Sequence, residues 1–169
     1  MKKEIIYLFL VIGVLFVYGC SSGIEVEVQL EKTNSETGEV QTTTQTLKQF
    51  AGTTSPYYRF DKAHYEKSLE EGKVIFLDFH ANWCPICARE KPRILAAFNE
   101  LNNPDVVGYQ VHFNDGQTTA DDKAMAKKYG IVNQYTKVIV DQNGNVVLRT
   151  LEILDKERII NELQKVAGS

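Results

Sequence analysis

The stretch VIFLDFHANWCPICAREKP, residues 74–92, decides how this chain is read. Residues 74–79 are apolar apart from Asp78, as in a central strand covered on both faces. A short loop with Trp83 follows, and then Cys84 and Cys87 in a CxxC spacing. The spacing predicts a helix from the cysteines to about residue 101. Pro85 suits its first turn, where a missing N–H is no loss. Pro92 falls inside it and is expected to kink it. Cys84 is thereby placed at the helix start, where free N–H groups and the helix dipole favour an anion. A thiolate is such an anion and is the nucleophilic form of cysteine. Cys87 lies one turn later on the same side, so the two sulfurs can bond without moving the backbone.

Four uses of such a pair stand open. Thiol–disulfide exchange needs a nucleophilic first cysteine and a second one to resolve the mixed disulfide. A structural zinc site wants four ligands. The chain offers one CxxC, with His80 just before it and His64 and His112 elsewhere, so zinc or copper binding is an alternative short of ligands. A purely structural bridge closes too small a loop to stabilise much. A redox-weak module that only holds a partner is the fourth. Asp78 bears on the first use. A lone carboxylate buried in that strand should have a raised pKa and can accept the Cys87 proton; at an exposed strand end it would do neither.

Working outward, Asp61 caps a helix to about residue 71, stopped by Gly72. Residues 106–113 form the next strand, and 119–129 a helix ended by Gly130. Strands at 137–141 and 145–150 meet at Asn143-Gly144, a strong hairpin signal. Asp155 caps a last helix to about residue 166. The order from residue 61 is α-β-α-β-α-β-β-α: parallel pairing where helices intervene, and an antiparallel hairpin at the end. Residues 48–60, with Gly52, Pro56, Tyr57, Tyr58 and Phe60, read as a loop whose aromatics cover the core.

The N-terminus has its own logic. Two lysines precede the apolar run IIYLFLVIGVLFVY at 5–18, and Gly19-Cys20-Ser21 follows. This is the pattern of an export signal; the run is short for a membrane span, although a retained anchor is the alternative. The segment VYGC resembles a bacterial lipobox, which implies lipidation of Cys20 and removal of residues 1–19; Tyr18 is an unusual occupant there. Cys20 is then the explained odd cysteine. Residues 24–31 alternate strictly and 40–47 are rich in threonine, giving either a β-hairpin or a spacer. The expected organisation is a leader at 1–19, a tether with a possible hairpin at 20–60, and a domain at 61–169.

The segment 77–92 resembles the active-site region of thioredoxins: a strand with Asp78, then Trp83, Cys84-Pro85-Ile86-Cys87 and a helix proline at 92. The element order over 61–167 is similar too. The resemblance implies a thioredoxin fold, an α/β architecture with a central mixed sheet flanked by helices. It is nearest to membrane-tethered proteins outside the cytoplasm. It implies that Cys84 attacks, Cys87 resolves and Asp78 is the buried acid. Trp83, Pro85, Ile86, Tyr135 and Thr136 would line a substrate groove. Partners would be protein thiols and disulfides, with a reductase slightly favoured over an oxidase, electrons from a membrane protein, and a monomeric chain. Four features depart from the family, the first being Pro85-Ile86 between the cysteines where cytoplasmic thioredoxins have Gly-Pro. Tyr135 stands where a cis-proline is expected, Gln110 where a lysine accompanies the acid, and Glu152 near a usual glycine.

Composition narrows the rest. At 169 residues, 43% hydrophobic and 24% charged, the chain suits one domain with extensions. A net charge of -3 gives no basic footprint for nucleic acid. No GxGxxG follows a strand, so no nicotinamide cofactor is expected, nor any other cofactor or resident metal.

Overall fold

The computed structural model describes residues 47–168. The lipobox with Cys20 and the possible hairpin at 24–47 lie outside them, save for Leu47. Ten elements follow in order: β1 (Gln49–Ala51), β2 (Tyr57–Arg59), α1 (Lys62–Glu70), β3 (Val74–His80), α2 (Pro85–Glu100), β4 (Val106–His112), α3 (Ala120–Lys128), β5 (Thr136–Val140), β6 (Val146–Thr150) and α4 (Lys156–Ala167). The strands form one mixed sheet in the order β1-β2-β4-β3-β5-β6. The fold is that of the thioredoxin class.

Two expectations need correction. Residues 48–60 are not simply a loop: β1 and β2 pair antiparallel, and β2 pairs parallel with β4. Each strand has three residues, too few for a period to appear in sequence. The rule that helix-separated strands run parallel holds for β3 and β4 but not for β5. That strand pairs antiparallel with β3, Asp78 opposite Lys137 and Phe79 opposite Thr136. β5 starts at the end of the sheet where β3 and β4 finish, on the side of β3 away from β4, and so runs back along it.

Period-two alternation divides the core. Ile75, Leu77 and Phe79 of β3 pack with Tyr65 of α1 and Met125 and Ala126 of α3. Val74 and Phe76 face the other way, onto Ile94 and Phe98 of α2 and Ile159 and Leu163 of α4. Asp78 and His80 share that second parity. Gly108 of β4 has no tolerance for a side chain, since a Cβ there would sit 2.4 Å from the Phe98 ring and 2.6 Å from Tyr57. Those two rings stack at 5.0 Å across the space it leaves.

The helix starts are capped as their sequences suggest. Asp61 accepts from His64 N, and Asp155 from Arg158 N. Thr119 and Asp122 form a reciprocal capping box. Asp122 also takes two hydrogen bonds from the Arg59 guanidinium and one from His112 N. One buried carboxylate thus fastens β2, β4 and α3. The Asn143-Gly144 turn joins β5 to β6 as expected, with Gly144 at φ +81°.

Candidate active site

The site is built at the C-terminal ends of β3 and β4 and the start of α2. Cys84 is the N-cap of α2, with extended backbone, and its Sγ accepts from Cys87 N at 3.2 Å. Pro85 occupies the first turn, and the helix runs through Pro92 to Glu100. Cys84 and Cys87 are disulfide-bonded with Cα atoms 5.3 Å apart, within the usual span for such a bridge. Both cysteines are only 4% exposed. Trp83 is 57% exposed and anchored by its Nε1–H to the Asn114 carbonyl at 2.9 Å. Pro85 is exposed, Ile86 half-buried and Thr136 buried.

Asp78 is buried at 4% exposure, so it is not the surface carboxylate of the alternative reading. Burial, then the negative charge of Glu90, push its carboxyl up to about 7. Lys137, the Tyr57 hydroxyl and Lys91 pull it back. Tyr57 Oη donates to Asp78 Oδ2 at 3.1 Å, and burial followed by this carboxylate drives the phenol well above its ordinary value.

The lysine missing from β4 is supplied from β5. Gln110, directly beside Asp78 in the ladder, is buried and accepts from Lys91 Nζ at 3.4 Å. Lys137, on the opposite side of Asp78, is wholly buried and donates to Glu90 Oε2 at 2.7 Å. Glu90 lies one turn beyond Cys87, and its other oxygen accepts from Leu154 N at 2.8 Å. Sequence reading missed this pair. Its signal was a lysine beginning an apolar strand and a glutamate three residues after a buried cysteine.

A second polar group supports the loop before the cysteines. His112 Nδ1 lies 2.7 Å from Asp115 Oδ2, and that carboxylate also accepts from Asn82 N. Burial pushes Asp115 up, but hydrogen bonds from His112, Asn82 and Gln117 outweigh it and hold the carboxyl at about 2. His80 sits edge-on to His112 at 5.9 Å between ring centroids. Its buried Nδ1 has no hydrogen-bond partner among the described residues. Burial, then Lys91 and His112, lower its pKa to about 4. Among the described residues, no cluster of three or more histidine, cysteine or carboxylate groups is arranged to hold a metal.

Tyr135, in the loop facing the disulfide, has φ +62°, the left-handed region in which non-glycine residues are uncommon. Its N–H donates to Phe79 O. Its carbonyl accepts from Lys137 Nζ at 3.1 Å, and the same ammonium lies 4.3 Å from its ring centroid. Glu152 is exposed and pairs with Arg158 at 2.6 Å.

A parallel-and-antiparallel sheet with a disulfide at a helix start and a buried acid behind it defines the thioredoxin-like class. The family described as "Thioredoxin-like domain" matches residues 61–167, and the chain belongs to that family. A thioredoxin from Geodia cydonium is 32% identical over 62 residues, covering 36% of this chain and 57% of that protein. The chain thus spans little more than half the length of that relative. Among solved structures, Trxlp from Edwardsiella tarda EIB202 superposes with a TM-score of 0.52 at 22% identity, over 62% of this chain and 95% of that one. Thioredoxin O2 from Arabidopsis thaliana, in the oxidised state, gives 0.51 at 19%, over 69% and 97%. At these identities the structural likeness concerns the fold.

Proposed function

We propose that this protein is a thiol–disulfide oxidoreductase acting on protein partners, as a reductase, outside the cytoplasm and tethered by a lipid on Cys20. The observation that carries the chemistry is the Cys84–Cys87 disulfide at the N-terminus of α2, with the buried Asp78 on the same face of the sheet as that helix. In the reduced protein, the Cys84 thiolate attacks a partner disulfide. A bond forms between Cys84 Sγ and one partner sulfur, and the other partner sulfur leaves as a thiolate. Cys87 then gives its proton to Asp78, whose pKa of about 7 suits it to exchange protons near neutrality. The Cys87 thiolate attacks Cys84 Sγ, the second partner sulfur departs, and the chain is left oxidised. Two electrons pass to the partner, and a membrane electron donor would restore them.

Turnover of insulin disulfides in the presence of dithiothreitol tests this. The wild type is expected to speed precipitation of the insulin B chain, and Cys84→Ser to abolish the effect. Wild-type protein that is folded yet no faster than dithiothreitol alone would overturn the reading.

A further inference from the structure

The disulfide is covered, and the cover is identifiable. Ala81, Cys84 and Cys87 form a small buried cluster against which two half-buried side chains pack, Ile86 and Tyr135. Ile86 lies between the cysteines and moves with them. Tyr135 comes from a separate loop and is held from behind. Its carbonyl and ring both contact the Lys137 ammonium. Lys137 is tied to Glu90, and Glu90 to Leu154 N. Backbone in the left-handed region and an N–H bonded to Phe79 O fix where the side chain starts. The result is a redox centre with an exposed tryptophan beside it but only 4% exposure of either cysteine.

We propose that the Tyr135 ring is a displaceable cover that decides which thiols reach Cys84. The inference deepens the oxidoreductase reading and rests on it. To open the oxidised centre, an incoming thiolate forms a bond to Cys84 Sγ. The Cys84–Cys87 bond breaks, and its electron pair leaves on Cys87 Sγ, which then takes up a proton. Access is part of the rate of such exchange. A small thiol threads past the ring. A thiol on a bulky carrier waits for the ring to swing off, and it has to give up the ring's packing and its contact with Lys137. That contact sets an ammonium against an aromatic face, and a tenfold change in rate corresponds to about 1.4 kcal/mol. Tyr135 is therefore the specificity-determining side chain of this groove, selecting partners able to displace an aromatic ring.

The test is stopped-flow reduction of the oxidised protein, read from Trp83, the single tryptophan of the chain. Two probes are used in excess, dithiothreitol and a polyethylene-glycol thiol. Tyr135→Ala is expected to raise the polymer-thiol rate about tenfold and the dithiothreitol rate by clearly less. Tyr135→Phe, which keeps the ring, is expected to restore the slow polymer rate. Tyr135→Gly, which tolerates the backbone angle, replaces the alanine variant if that one does not fold. Equal acceleration of both probes, no acceleration of either, or the selective effect appearing in Ile86→Ala instead would overturn the proposal. The readout is one opening of the disulfide and not turnover. Wild type that opens selectively but leaves insulin intact would sink the oxidoreductase reading alone. Wild type that turns insulin over, with an unselective alanine variant, would sink the cover alone.

Discussion

At the scale of single residues, Asp78 sets the sharpest expectation. Its carboxyl rises from 3.8 in the open chain to about 7 when folded. The folded state therefore holds the proton more tightly. The stability this gives is complete below pH 4 and is lost as pH rises to about 7. Asp78→Asn removes that dependence and is expected to gain on the wild type between pH 4 and 8, by on the order of 4 kcal/mol. Urea denaturation across that range measures it, and parallel pH curves would contradict it. The same variant should slow the Cys87 resolving step and erase its inflection near pH 7. His80 runs in the opposite sense: with its pKa lowered to about 4, its contribution is present above pH 6.5 and lost on acidification. Cys84, Cys87 and Asp78 were legible because their meaning is local: a CxxC after an apolar strand states its own context. Lys137 and Glu90 were not. They stand 47 residues apart, and only the antiparallel placement of β5 brings them together.

At the scale of elements, that pair pins α2 to β5 directly behind the disulfide. Its side chains are 0% and 2% exposed, so removing one partner strands a buried charge. Glu90→Ala is expected to cost about 3–5 kcal/mol; it also leaves Leu154 N without its acceptor. Glu90→Leu combined with Lys137→Met should lose less than either single change, because no unpaired charge then remains. Additive losses in a double-mutant cycle would show that the two groups do not act together. The β1–β2 hairpin has a comparable role. It supplies Tyr57 both to Asp78 and to the Phe98 ring, and it covers the edge of β4. A chain beginning at residue 61 is expected to be less stable than one beginning at 47, with a lower denaturation midpoint. Equal midpoints would mean that the hairpin is dispensable. The hairpin escaped sequence reading because two three-residue strands around Pro56 show no periodicity. The long, apolar β3 and the capped helices could be read directly.

At the scale of the whole molecule, the parts converge on one end of the sheet. The disulfide, Trp83, the His80–His112 pair and Tyr135 all lie where β3 and β4 finish and β5 begins. The other described elements support them, and among the described residues no helix is long and apolar enough to cross a membrane. The tether proposed above is a lipid on Cys20. Cys20→Ala is expected to abolish incorporation of labelled fatty acid and to move the protein out of the membrane fraction; unchanged labelling would remove lipidation from the account. The central claim is that Cys84 forms, and Cys87 resolves, a mixed disulfide with a protein partner. It is tested most directly by mass spectrometry of reduced Cys87→Ser protein after exposure to insulin. A stable adduct linked through Cys84 is expected, and none in Cys84→Ser. No adduct, or one that forms as readily without Cys84, would contradict it.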